Sequence, residues 1–195
     1  MTTRRNHILL AVAAALVLVA AALLATQALQ PWERHLFETI NGSNRAVAAV
    51  LWLPMQLGNA FAPIVVALAW YLVCHNRRVA LGVFVAGEAA WLIAPIIKDW
   101  VGRPRPASLV PDTIIHLGGT AQGLGFPSGH AAVAFAMATV LAATVQFRGR
   151  VIVYALAGLV AYARVYVGAH LPLDVIGGAA LGVLLGSLWN AAAAQ

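Results

Sequence analysis

Charge is scarce in this chain: only 9% of its 195 residues are Asp, Glu, Lys or Arg, while 62% are hydrophobic. A soluble domain carries about a quarter charged residues, so the composition excludes a water-soluble enzyme and indicates a polytopic membrane protein. Acids are rarest, six against 12 Lys and Arg, for a formal net charge of +6. The cations divide between connecting loops and one polar cluster. There is no continuous basic face and no RNA-binding signature, so no nucleic-acid partner is expected. The single cysteine, Cys74, excludes an intrachain disulfide and any Cys-based metal site. It lies beside a loop within an apolar run and reads as packing.

What the chain does have is a series of long apolar runs. Arg4, Arg5 and His7 precede one from Ile8 to about Leu29, long enough to span, with no small-residue cleavage site leading into a polar mature domain; it reads as a retained first span. Pro31 to Asn44 reads as a short helix on the membrane surface. Trp32, Leu36, Phe37 and Ile40 lie on one side, with Glu33, Arg34, His35 and Glu38 mostly on the other. Residues 45–75 are too long for one straight span, and Pro54, Gly58 and Pro63 divide them into a half-buried helix (about 46–57) and a span (about 60–75). Further spans are expected at about 79–97, 128–147, 151–167 and 172–189. The expected fold is a single all-α membrane domain over residues 1–195, with six transmembrane helices and one short interfacial helix.

Short-loop cations orient the chain. Arg4, Arg5, Arg77, Arg78, Arg148 and Arg150 occupy the N-terminal arm and two tight loops without any acid, which predicts that these segments and both termini are cytoplasmic. Five of the six acids and the long connection 98–127 fall on the other side, with Arg34, Arg45, Lys98, Arg103, Arg105 and Arg164. The expected location is the plasma (inner) membrane of the cell, with the chemistry facing outward.

Three polar clusters share that outer side. In the first, Lys98 and Arg105 stand seven apart, two helical turns, and can project together. The second is Pro127-Ser128-Gly129-His130, where Ser128 suits a helix N-cap, Gly129 lets an anion approach the N–H groups of a helix start, and His130 can donate a proton. The third runs from Ala163 to Asp174. Pro172 fits a first helical turn, which puts His170 and Asp174 four apart on one face so that the carboxylate can orient the imidazole, with Arg164 close by. Each cluster alone has an ordinary reading: snorkelling cations, a plain cap, a structural His–Asp pair. Together they supply what phosphoryl transfer needs, namely cations for the phosphate oxygens, an in-line nucleophile and an acid for the leaving group, without a metal cluster.

These segments resemble the type 2 phosphatidic acid phosphatase (PAP2) superfamily, whose motifs are Lys-x6-Arg-Pro, Pro-Ser-Gly-His and Ser-Arg-x5-His-x3-Asp. Lys98, Arg105 and Pro106 match the first; Arg103 offers a second Arg-Pro at the wrong spacing. Residues 127–130 match the second completely, and Arg164, His170 and Asp174 match the third, with Ala163 where the family usually has serine. The resemblance covers about Val79 to the C-terminus. It implies that His170 attacks phosphorus to form a phosphohistidine, that Asp174 holds its other ring nitrogen, and that His130 protonates the leaving group and then activates water. Lys98, Arg105 and Arg164, with the N–H groups near Ser128 and Gly129, would hold the phosphate. Neither metal nor other cofactor is implied. The substrate implied is a membrane lipid phosphate, with polyprenyl (undecaprenyl) diphosphate favoured over phosphatidylglycerophosphate or phosphatidic acid. Phosphotransfer and non-enzymatic lipid binding are the competing functions.

Several residues stay without a role. Glu88, in the third expected span, has no visible cationic partner. Asp99, Asp112 and His116 read as solvated loop residues. Gly177, Gly178, Gly182 and Gly186 suit close helix packing, which could serve a homodimer but is more simply internal.

Overall fold

The computed structural model describes residues 3–44 and 47–194, so Arg45, counted above among the outer-side cations, lies outside it. Eight α-helices follow in order among the described residues: α1 (Arg4–Ala25), α2 (Pro31–Asn41), α3 (Val47–Met55), α4 (Ala62–Cys74), α5 (Arg77–Val101), α6 (Gly129–Ala142), α7 (Phe147–Tyr166) and α8 (Pro172–Ala193). No strand occurs among the described residues. Helix boundaries follow local chemistry. Proline opens α2 and α8, where its missing N–H costs nothing. Asn76 and Ser128 cap α5 and α6 with side-chain oxygens. Gly102, at φ 66°, ends α5 in the left-handed conformation.

Four helices, α1, α5, α7 and α8, are long and apolar enough to cross a membrane. The expected half-buried helix and second span are α3 with its 3-10 turn and α4, bent by 76° to each other; counting the pair as one span gives a fifth crossing. The expected fourth span is shorter than the sequence suggested. Helix α6 has 14 residues, about 21 Å at 1.5 Å per residue, against a hydrocarbon core of about 30 Å. All of it except Gly129, His130 and Phe135 is buried, because α5, α7 and α8 pack around it. A helix enclosed by protein need not match the bilayer thickness.

The glycines of α8 make that enclosure tight. A Cβ at Gly178 or Gly182 would lie 2.3 Å from the Ser128 or Ala132 carbonyl oxygen of the Ser128–α6 segment, and one at Gly186 would lie 2.8 Å from that of Ala136. The small-residue face is therefore filled within the chain.

Helix α2 is amphipathic, but its inward face differs from the expected one. Trp32 and Leu36 are exposed, whereas Glu33, Phe37 and Asn41, spaced four apart, are buried. The physical reason is a buried arginine, Arg103, waiting at Glu33. The C-terminal ends of α5 and α7 and the N-terminal ends of α6 and α8 meet at the end of the bundle covered by α2 and the 102–128 connection. At the opposite end, His7, Asn76, Arg78, Thr144 and Asn190 line a common cavity.

Gly182→Ala should cost about 1–3 kcal/mol by overpacking α8 against α6 and lower the melting temperature in detergent. Gly158→Ala, whose Cβ would meet nothing within 4 Å, should be neutral or stabilising by up to about 1 kcal/mol. Equal melting shifts for the two variants would contradict this account of the packing.

Candidate active site

Helix α5 ends with Lys98 in its last turn, and its Nζ donates to the carbonyls of Leu124 and Gly125, each at 2.9 Å. An ammonium has three donors, so one is left. Arg105 leaves the loop beyond Gly102 and donates through Nη1 to Ala169 O at 2.7 Å. Arg164, in the last turn of α7, donates through Nη1 to Gly118 O at 2.9 Å and contacts Met55 Sδ at 3.1 Å. Arg105 Nε and Arg164 Nε are both buried without a hydrogen-bond partner. Buried donors cost free energy until an acceptor meets them, and here two of them lie near a lysine.

The start of α6 faces the same space. Ser128 is fully buried; its N–H donates to the Asp174 carbonyl at 2.8 Å, and its Oγ accepts from Ala131 N at 3.5 Å. The free N–H groups of the first turn, at Gly129 and His130, lie at this end of the helix. The His130 ring sits edge-on to Trp91 at 6.2 Å. Gly58, from the bend between α3 and α4, presses its backbone against His130 so closely that a Cβ there would lie 2.7 Å from the histidine's own Cβ.

His170 follows the Gly168 turn, at φ 76°, where a Cβ would also strike the Ile114 carbonyl at 2.5 Å. Its Nδ1 lies 3.5 Å from Asp174 Oδ2, within ion-pair reach but without a formed hydrogen bond. Asp174 is fully buried: Oδ2 accepts from Leu171 N at 2.9 Å and Oδ1 accepts from Arg103 Nη1 at 3.0 Å. Burial first, then the charges of Arg164, Lys98 and Arg105, push the His170 pKa well below 6.5, against a weaker pull from the Gly125 carbonyl. Arg105 is also lowered, by burial, with Asp174 opposing. Ala163 is buried in an apolar cluster with Leu51, Met55 and Tyr166.

All eight residues singled out by the motifs (Lys98, Arg105, Ser128, Gly129, His130, Arg164, His170, Asp174) therefore gather at one end of the bundle. Two more lie with them that the motif spacings had left out. Arg103, set aside for its spacing, is 4% exposed and bonds Glu33 Oε1 at 2.9 Å and Oε2 at 2.6 Å as well as Asp174. Burial lowers its pKa, but the Glu33 hydrogen bond and the charges of Asp174 and Glu33 outweigh that and raise it. Glu33, expected on the solvated face of α2, is fully buried and also accepts Leu173 N at 2.9 Å. His116 is corrected too: it is buried, stacked on Tyr166 at 4.4 Å, with Nε2 3.0 Å from the Asn41 carbonyl. Asn41 donates to the carbonyls of Ile114 and Tyr166 and accepts the Ile114 N–H, tying the long connection to α7. Asp99 and Asp112 are exposed. The partly buried Glu88 has one carboxylate oxygen without a partner.

The His170–Asp174 pair and the cations Lys98, Arg105 and Arg164 thus lie together where apolar helices end. Residues 78–194 match the PAP2 superfamily, and the chain belongs to it. It is a multi-pass membrane protein and a phosphate-ester hydrolase. An undecaprenyl-diphosphatase of Sulfolobus acidocaldarius is 29% identical over 149 residues, 76% of this chain and 72% of that protein. Phosphatidylglycerophosphatase B of Bacillus subtilis is 35% identical over 106 residues, 48% of each chain. Lipid A 4'-phosphatase of Bacteroides thetaiotaomicron is 30% identical over 139 residues, 68% of this chain and 60% of that one. Among solved structures, Aquifex aeolicus LpxE superposes with a TM-score of 0.71 at 26% identity, covering 80% of this chain and 93% of its own. A transmembrane PAP2-type phosphatidylglycerolphosphate phosphatase from Bacillus subtilis gives 0.74 at 21% identity, covering 92% and 94%, a likeness of fold.

The depressed His170 pKa has a stability consequence. As the pH falls through about 6.5 the unfolded chain takes up a proton at this position and the folded chain does not. Stability is therefore full above that pH and declines below it. Melting temperature should fall between about pH 7.5 and 5.5 in the parent protein, and His170→Asn should remove part of that fall. Equal slopes in both proteins would show that burial does not hold this imidazole neutral.

Proposed function

We propose that the protein is a lipid phosphatase that works through a phosphohistidine on the extracytoplasmic side of the membrane. The observation that carries this is the His170 pair with Asp174 set beside the unpartnered Nε groups of Arg105 and Arg164. The neutral imidazole attacks phosphorus through Nε2, forming an N–P bond as the P–O bond to the leaving group breaks, while Asp174 stabilises the proton on Nδ1. His130 gives its proton to the departing oxygen, then takes one from water, whose oxygen attacks phosphorus and releases phosphate from His170. Lys98, Arg105, Arg164 and the N–H groups of Gly129 and His130 hold the phosphate oxygens as charge develops.

A lipid substrate is supported by an apolar cleft between α4 and α7. Leu57, Val66 and Leu156 are shared by two adjoining cavities there, of about 420 and 120 Å³, beginning next to the Gly58–His130 contact. We favour a polyprenyl diphosphate, in line with the Sulfolobus acidocaldarius relative; phosphatidylglycerophosphate is the second reading, in line with the Bacillus subtilis relative. The outward-facing site is supported by the acid-free basic loops at Arg77-Arg78 and Arg148–Arg150, which lie on the far ends of the helices that carry the site.

A phosphate-release panel over undecaprenyl diphosphate, phosphatidylglycerophosphate and phosphatidic acid should show the first hydrolysed fastest, with EDTA leaving the rate unchanged. Labelled phosphate should pass to water rather than to a lipid or sugar acceptor. His170→Ala should fold and lose at least about 10³-fold in kcat. Full activity in that variant would overturn the mechanism, and EDTA inhibition would overturn its independence of metal.

A further inference from the structure

We infer that Glu33, on α2 and outside the family-matched segment, is a positioning residue for the reaction, acting through Arg103 to hold Asp174 in register with His170. The inference rests on His170 as the nucleophile.

The geometry is a chain of three buried charges. Arg103 presents Nη1 and Nη2 to the two oxygens of Glu33, at 2.9 and 2.6 Å, and reaches Asp174 with Nη1 alone, at 3.0 Å. Only one oxygen of Asp174, Oδ1, is engaged by the guanidinium. The other, Oδ2, keeps the Leu171 N–H and faces His170 Nδ1. That division of labour depends on Glu33. An arginine fork prefers to grip both oxygens of one carboxylate. Without the Glu33 carboxylate, the fork of Arg103 is free to turn onto Asp174 and take both oxygens, drawing Oδ2 from the imidazole it orients. Glu33 also accepts the N–H of Leu173, in the first turn of α8, and so fixes the backbone one residue before Asp174. A surface ion pair would not carry such a role; here both side chains are at most 3% exposed.

Charge points the same way. Lys98, Arg103, Arg105 and Arg164 face two carboxylates, Asp174 and Glu33. Glu33 cancels the charge of Arg103, so Asp174 keeps its own for His170.

The test compares Glu33→Gln, Glu33→Asp and the double variant Glu33→Met/Arg103→Met with the parent, using the same lipid phosphate in detergent micelles. Glu33→Gln should lower kcat by about 10- to 100-fold, the size of effect found for residues that orient a metal ligand from behind, with KM within about threefold. Glu33→Asp, which keeps the charge, should recover part of the loss. A kcat within twofold of the parent, a rise in KM alone, or Glu33→Asp no better than Glu33→Gln would overturn the inference. If Glu33→Gln fails to accumulate, the double variant decides, since removing both charges spares the fold an unpaired buried ion. A folded double variant with reduced kcat supports the role. One with full kcat, or failure of both variants to fold, overturns it. His170→Ala in the same assay separates the two ideas: residual activity there breaks the reading of the site, whereas an inactive His170→Ala beside an unaffected Glu33→Gln breaks only this one.

Discussion

One guanidinium shared between two buried carboxylates holds this site together. Arg103 joins α2, through Glu33, to the first turn of α8, through Asp174, and none of the three side chains is more than 3% exposed. Burying such ions is costly, and removing one partner of a buried pair typically costs about 3–5 kcal/mol. An apolar trio of similar volume would serve stability as well or better. What charges can add here is direction, that of the Asp174 carboxylate toward His170.

Much of the site was legible in the sequence because its parts are local. His170 and Asp174 face each other because a helix beginning at Pro172 fixes a spacing of four. Ser128 announces the start of α6 as a cap. Lys98 and Arg105 each sit within a few residues of a helix end that Gly102 marks. What could not be read was whatever joins distant parts of the chain. Glu33 and Arg103 are 70 positions apart, and on α2 alone Glu33 resembles its neighbours Arg34 and Glu38, which form an exposed pair. His116 looked solvated because nothing near it in sequence shows that Tyr166 will stack on it.

The length of α6 was hidden for a related reason. Hydropathy registers an apolar stretch near residues 128–147 without saying whether lipid or protein surrounds it. The glycines of α8 decide the matter, since they let backbone lie on backbone and leave α6 little lipid to face. The same close approach brings Ser128 N–H to the Asp174 carbonyl, so the second and third motifs are fastened to each other by their main chains before any side chain is considered.

Asn41 makes three hydrogen bonds with one amide, to both backbone groups of Ile114 and to the carbonyl of Tyr166. A roof fastened in this way moves as one body with α2 and the end of α7. Among the described residues, the bent pair beside Gly58 is tied to α7 by a single thioether contact, Met55 Sδ with Arg164 Nη1, and it borders the apolar cleft. For the proposed lipid substrate, a long tail would then reach the site within the plane of the bilayer, through the wall of the bundle. The roofed end is left to species small enough to pass without unfastening it.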